Sequence, residues 1–418
     1  MADPLILVRG VHFAATLLAG GTVAFVVLVA EPAAAKIRPD FTALRHRLTV
    51  LSWLALAVAI VSGTAWLVLL ASDILGAPLV DVCLHGGAWP VLFDTRFGLV
   101  WCTRLALALL LALLMLRPAT QSFQLAAAVA FIGLPALVGH AGATPGMTGY
   151  LHLIADIVHL LAAGAWLGSL PAFVLLLSLA RRRSEPAWYD FAIRMTRRLS
   201  VVGILSVGAI LASGLINSWN LLSGPRDLVS TGYGRLVAFK IGLFVAMVVI
   251  ATVNRFYLTP RLPQPPALRA LQRNSLAEIG LGLCVLLFVG MLGTLPPAAH
   301  VHSAPQGIPP DAAFVHIHAP EAMADVTIEP GRAGRAAVWI RVVREDFSRF
   351  PAKDVRVFLE PPTRGNQALE QAAIEQADGT WLVSGIAFAE PGIWTVRVIV
   401  TPSAGDPIPL DAPVVIER

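Results

Sequence analysis

Hydrophobic and polar positions divide the chain into two regimes. Up to about residue 295, apolar runs recur, each near the roughly 20 residues that a helix needs to cross a hydrocarbon core. Eight such runs fall at about 8–30, 50–72, 98–116, 121–139, 150–179, 200–219, 234–257 and 275–295. Helix is selected over strand by length, because in lipid every backbone N–H and C=O must find a partner within the segment. The third and fourth runs are separated only by "RPAT", which predicts a tight helical hairpin. The first run carries Arg9 but no small-residue cleavage site before Glu31, and it reads as a retained span.

Past residue 310 the period changes to two. "AAVWIRVV", "VRVFLE", "TWLVSGIAF" and "IWTVRVIV" alternate or nearly so, as half-buried strands do. Turn signals separate them: "EPGRAGR", "EQADGT" and "AEPGIW". The expected architecture is an all-α polytopic membrane bundle of about eight transmembrane helices over residues 1–295. A Pro-rich linker follows at 296–310, then a small all-β extracytoplasmic sandwich at 311–418. No internal repeat is present.

Composition sharpens this division. The chain is 56% hydrophobic and 14% charged, where a soluble domain would carry about a quarter charged residues. The net charge of +5 hides an asymmetry. Residues 1–295 hold 21 Lys/Arg against 11 Asp/Glu, whereas the remainder holds 10 against 15. The basic residues sit in the connections between apolar runs, with no basic-aromatic patch, so the charge does not point to nucleic acid. One set of connections holds 15 of them: Lys36, Arg38, Arg45, Arg47, Arg117, Arg181–Arg183, Arg194, Arg197, Arg198, Arg255, Arg261, Arg269 and Arg273. The other set holds Arg9, Arg96, Arg226 and Arg235. The positive-inside rule places the rich set in the cytoplasm and, with eight spans, both termini and the tail domain outside.

The histidines follow that orientation. His12, His85, His140, His152, His159, His300, His302, His316 and His318 fall on the expected outer side, and only His46 falls inside. In the fifth run, "YLHLIADIVHLLAAGAWLGSLP", His152 and His159 are seven residues apart. Their directions differ by about 20° and their heights by about 10 Å. Asp156 lies between them and Trp166 continues the stripe deeper. Ionisable groups at membrane depth face a bundle interior or a cavity and mark functional paths. His140 and the Met147 thioether precede this run, and His12 on the first run should lie at a similar height. Imidazole and thioether together suit copper, as Cu(I) or Cu(II). The competing reading is that these groups satisfy helix–helix hydrogen bonds.

Other groups are more ambiguous. Asp81, Cys83 and His85 could converge in a turn. "HVH" at 300–302 and "HIH" at 316–318 each place two imidazoles two residues apart, which in a strand share a face about 6.5 Å apart, with Met323 nearby. Against these stands a polar strand face. Arg104 and Lys240 lie within the third and seventh runs. They could snorkel, pair with Asp156, or neutralise haem propionates, which gives the alternative of a b-type haem held by His12 and His159. Asn254, Arg255 and Glu278 read as a structural clamp between helices. No nucleophile–base pair is evident, so no catalytic residues are expected. A third reading is a structural or assembly factor without metal.

The segments "GHAGATPG…LHLIADIVHLLAAGAWLGSLPAF", "RRLSVVGILSVGAILASGLINSW", "YGRLVAFKIGLFVAMVVIATVNRFYLTPRL" and "LQRNSLAEIGLGLCVLLFVGMLGTLPPA" resemble the copper resistance D (CopD) family of bacterial inner-membrane proteins. The first span, "LVRGVHFAATLLAGG", extends the resemblance. The tail segment "VHIHAPEAMADVTIEPGRAGRAAVWIRVV" is similar to periplasmic CopC-like and YtkA-like domains. The resemblance implies copper passage across, or handling at, the inner membrane; the expected route is a relay in which the periplasmic domain or a separate copper carrier delivers copper to the outer groups. The resemblance also implies outer-side ligands at His12, His140, His152 and His159, with Met147. The resemblance implies that a CopC-like domain uses a free N-terminal histidine together with a histidine–aspartate arrangement. Here the domain is tethered at its N-terminus, which leaves His300, His302, His316 and His318 as its candidates.

Overall fold

The computed structural model describes residues 3–34, 41–75, 78–84, 86–117, 120–139, 146–183, 185–262, 264–295, 298, 308–309, 311–319, 322–344, 348–362 and 369–417. The chain forms two compact units. One comprises Met1–Ala71 and Leu79–Ala299; the other comprises Ser72–Pro78 and His300–Arg418.

Among the described residues, eight helices are long and apolar enough to cross a membrane. They are α1 (Pro4–Ala33), α2 (Thr42–Ile74), α3 (Arg96–Met115), α4 (Gln121–Val138), α5 (Met147–Arg183), α6 (Pro186–Leu221), α7 (Gly232–Arg261) and α8 (Pro265–Leu292). Local chemistry sets several of their ends. Asp3 caps α1 by accepting from the Leu5 N–H at 2.8 Å, with Pro4 following, where its missing N–H costs nothing. Thr95 and Thr231 cap α3 and α7 by accepting from Gly98 and Gly234. The α3–α4 turn is tied by Gln124, whose Nε2 donates to the Leu114 carbonyl at 2.9 Å.

Helix α1 runs against α4, α5 and α8. Its contact with α5 depends on small residues. Gly164 and Gly168 form a G-x-x-x-G stripe on α5 that meets Gly21 and the Leu17 carbonyl of α1. A Cβ at Gly21 or Gly168 would drive into the facing backbone. Between lipid-covered helices apolar burial gives no net drive, so such close backbone approach supplies the attraction. The same site breaks α5: a 3₁₀ turn at Leu167–Ser169 interrupts it, and the Ser169 hydroxyl donates to the Gly21 carbonyl at 3.0 Å. This junction fixes the rotation of α5, and therefore the direction of the stripe that precedes it.

The second unit is a β-sandwich. Its strands are β1 (Ala313–His318), β2 (Met323–Glu329), β3 (Gly334–Val343), β4 (Ala352–Glu360), β5 (Leu369–Ala372), β6 (Ile374–Glu375), β7 (Trp381–Phe388), β8 (Gly392–Pro402) and β9 (Ile408–Ile416). One antiparallel sheet has the order β1-β2-β3-β7-β6 and the other β5-β4-β8-β9. Alternation builds the core. Trp394, Val396, Val398 and Val400 of β8 are buried and join Val326, Val338, Ile340 and Phe388 of the facing sheet in one cluster. Phe388 and Trp394 meet edge to face at 5.0 Å. Gly379, at φ +82°, makes the turn before β7.

Candidate functional site

Candidate groups collect in two places in the bundle and one in the sandwich. The first is the α5–α6 contact. These helices run antiparallel, so Asp156 lies level with Asn217 and His159 with Ser213. Asn217 Nδ2 donates to Asp156 Oδ1 at 3.2 Å. His159 Nδ1 lies 3.0 Å from Ser213 Oγ. The Ser213 hydroxyl already donates to the Ala209 carbonyl at 2.6 Å, so the imidazole N–H is the donor to Ser213. The tautomer is thereby set, and Nε2 keeps its lone pair. No described residue hydrogen-bonds Nε2, or Oδ2 of Asp156. Lys240 of α7 lies within electrostatic reach of both Asp156 and His159, and Tyr233 within reach of Asp156. Asp156 also borders Gly139, at the end of α4. His152, one turn earlier on α5, is 2% exposed. Met147, in the first turn, is 83% exposed.

The second place is around His12. Its Nδ1 donates to the Ala59 carbonyl at 3.0 Å, and its Nε2 accepts from Arg104 at 2.9 Å. Arg104 also donates to Thr16 Oγ1 at 3.0 Å and to the Phe131 carbonyl at 2.9 Å. Trp66 and Trp101 pack edge-on against the ring. Gly63 makes room, since a Cβ there would strike Trp101. Both ring nitrogens of His12 are therefore occupied by protein, which leaves none for copper or for haem iron in this arrangement. Arg104 does not snorkel; it is 3% exposed and joins α1, α3 and α4.

The third place is a row across the sandwich. His316, Asp325 and Arg341 are successive register partners on β1, β2 and β3. Arg341 donates to Asp325 Oδ2 through Nε at 3.0 Å and NH2 at 2.7 Å. His316 Nδ1 is hydrogen-bonded to Asp325 Oδ1. Asp325 is 2% exposed. A carboxylate behind one ring nitrogen is the arrangement that orients a metal-ligating histidine and strengthens its other nitrogen. Asp325 and Arg341 escaped the sequence reading because nothing local distinguishes them. Only the strand register brings them to His316.

The remaining candidates are placed more simply. His85, His140, His300 and His302 lie outside the described residues. The backbone of His318 pairs with Met323, and its side chain is likewise outside. Asp81 and Cys83 fall on a short helix, Leu79–Leu84, where residues two apart point about 200° away from each other, so they do not converge. Cys83, Cys102 and Cys284 are free thiols. Among the described residues, no three His, Cys, Asp or Glu side chains gather as a metal site.

Residues 1–150 match the profile described as Copper resistance protein D-like, N-terminal domain, and residues 193–292 that of Copper resistance protein D. Inner membrane protein YebZ of Escherichia coli (strain K12) is 31% identical over 302 residues, which is 71% of this chain and 99% of YebZ. The chain belongs to the copper resistance protein D family. Copper resistance protein D of Pseudomonas syringae pv. tomato is 30% identical over 221 residues, 49% of this chain and 70% of its own. Copper transport protein CutJ of Bacillus subtilis (strain 168) is 28% identical over 356 residues, 78% of this chain and 61% of CutJ. The chain thus spans about three fifths of that family member. No solved structure matches it. Family membership accounts for the match of both halves of the bundle, which flank the α5 stripe.

Proposed function

We propose that this protein moves or handles copper at the bacterial inner membrane, with the α5 stripe as the membrane site and the sandwich as a periplasmic receiving domain. The observation that carries this reading is the paired contact of Asp156 and His159 with Asn217 and Ser213. It fixes His159 so that Nε2 and a carboxylate oxygen remain for a cation. His152 lies about two turns from His159 toward the outer end, where Met147 opens α5 and His140 precedes it in sequence. Imidazoles and a thioether placed in succession along one path suit either copper oxidation state. Asp156 supplies the compensating charge that a cation at membrane depth requires. Names carried by relatives, copper resistance and copper transport, agree with this reading.

The basic connections support an orientation with both termini and the sandwich in the periplasm. Copper delivered to the tail, by a separate carrier or directly, meets His316, oriented by Asp325, with His300, His302 and His318 close in sequence. Lys240 is the resident counter-charge of Asp156. An arriving copper ion takes over that role, so binding and displacement of the ammonium go together. His12 serves as a structural clamp here.

The test is copper titration of the full-length protein in detergent, anaerobically for Cu(I), with elemental analysis and an absorption spectrum. Wild type is expected to bind copper at both the stripe and the tail, and a His152→Ala/His159→Ala variant to bind less, keeping only the tail's share. Undiminished binding in that variant would move the site to the tail. A Soret band without copper would replace this reading with haem-based electron transfer.

A further inference from the structure

The bundle holds a cavity of about 240 Å³ on the far side of Trp166 from His159, between α5, α6, α7 and α8. Most of its wall is apolar, including Leu170, Phe173, Val207 and Val248. It reaches the flank of the bundle at Ile204 and Phe256, which are 49% and 71% exposed. On membrane-crossing helices that flank faces lipid.

One end of the cavity is polar. Ser200, Asn254, Arg255 and Glu278 line it. Asn254–Leu258 is a π-helical turn, a wider coil that recurs at functional positions, and it brings both Asn254 and Arg255 to the same wall. Glu278 is 2% exposed, and its Oε1 receives only a long bond of 3.4 Å from Asn254. Arg255 donates to Ser200 Oγ at 2.6 Å rather than to Glu278. Among the described residues, neither charge has an opposite charge within 4.0 Å. A buried carboxylate and a guanidinium, unpaired and at one end of an apolar slot, form a pattern that a complementary ligand would complete.

The geometry points to a binding site for a phospholipid with a primary-ammonium head: phosphate at Arg255 and Ser200, ammonium at Glu278, an acyl chain along the apolar wall. Depth agrees with this. Arg269 and Arg273 lie in the first turns of α8, and Glu278 is five residues beyond Arg273, about 7.5 Å along the helix. That is headgroup depth on the side of the basic connections. An anionic head offers Glu278 no cation. A trimethylammonium head offers it no N–H to donate. The inference is independent of copper: Trp166 separates the cavity from the stripe, and none of His152, Asp156 and His159 lines it.

The test is native mass spectrometry of delipidated full-length protein offered equal amounts of dioleoyl phosphatidylethanolamine, phosphatidylcholine and phosphatidylglycerol. Wild type is expected to retain the ethanolamine lipid over the choline lipid by about tenfold, one charge-assisted hydrogen bond's worth. Glu278→Gln, nearly isosteric, should abolish that preference. Gly203→Leu should lower retention of all three, because Gly203 lines the cavity and a Cβ there meets nothing within 4 Å. Equal retention of the three lipids by wild type overturns the proposal. So does a preference that survives Glu278→Gln, or retention unchanged in Gly203→Leu.

Discussion

Arg104 donates to His12 Nε2 across 2.9 Å in the interior of the bundle. With the Ala59 carbonyl on Nδ1, this bond occupies both ring nitrogens of His12. Arg104→Met removes donors to His12, Thr16 and the Phe131 carbonyl at once, and each buried acceptor left unpaired costs about 1–3 kcal/mol. His12→Ala should destabilise the bundle in the same way. Both variants are expected to lower the thermal midpoint in detergent while leaving copper bound per folded molecule unchanged. A His12→Ala protein that folds normally yet loses copper would make His12 a ligand after all.

Lys240 gives the opposite kind of prediction. Its charge acts on Asp156 and His159. A resident ammonium repels an incoming copper ion, and at an effective dielectric near 20 such a pair several ångströms apart is worth about 2 kcal/mol. Lys240→Met should therefore tighten copper binding roughly tenfold or more, whereas Asp156→Asn should weaken it. Competition titration with a chelator of known affinity measures both. Weaker binding in Lys240→Met would remove Lys240 as a counter-charge.

The eight spans were legible because a run of about 20 apolar residues has few alternatives in lipid. The α5 stripe was legible because helical periodicity alone places His152, Asp156 and His159 together. Their partners were not. Ser213 and Asn217 look like ordinary polar residues of α6 until the antiparallel contact sets them level with α5. In the sandwich, the strands with uninterrupted alternation could be read. Strand β9 could not, because Pro409 and Pro413 argue against a strand. It forms nonetheless at a sheet edge, where a missing N–H is tolerated. The Asn254–Glu278 bond of the expected clamp is present, but Arg255 turns instead to Ser200 across a π-helical turn that no local pattern announced.

The α1–α5 junction predicts an indirect route to loss of function. Gly168 sits against the Leu17 carbonyl, and a side chain there has nowhere to go. Gly168→Val should cost about 1–3 kcal/mol of overpacking and rotate α5 about its 3₁₀ turn. Copper binding should then fall although every ligand is intact, together with the thermal midpoint. Gly203→Ala, at an open position on α6, is the control: copper binding should hold and the thermal midpoint should not fall. Equal behaviour of the two variants would show that the glycine contact does not set the direction of the stripe.

Asp325 separates a structural from a metal-orienting role in the tail. It is buried, holds Arg341 through two bonds and lies behind His316 Nδ1. Asp325→Asn keeps the shape but removes the charge, so the Arg341 pair and the bias on the imidazole both weaken. Arg341 is partly exposed, which limits the expected destabilisation to about 1–3 kcal/mol. If Asp325 orients His316 as a ligand, copper affinity at the tail should drop about 10–100-fold. Arg341→Gln disturbs the same row from the other side without touching His316, so it should lower stability with little effect on affinity. The measurement is copper titration of the full-length protein in a His152→Ala/His159→Ala background, which isolates the tail. Parallel losses in Asp325→Asn and Arg341→Gln, tracking stability alone, would make the row a strand clamp.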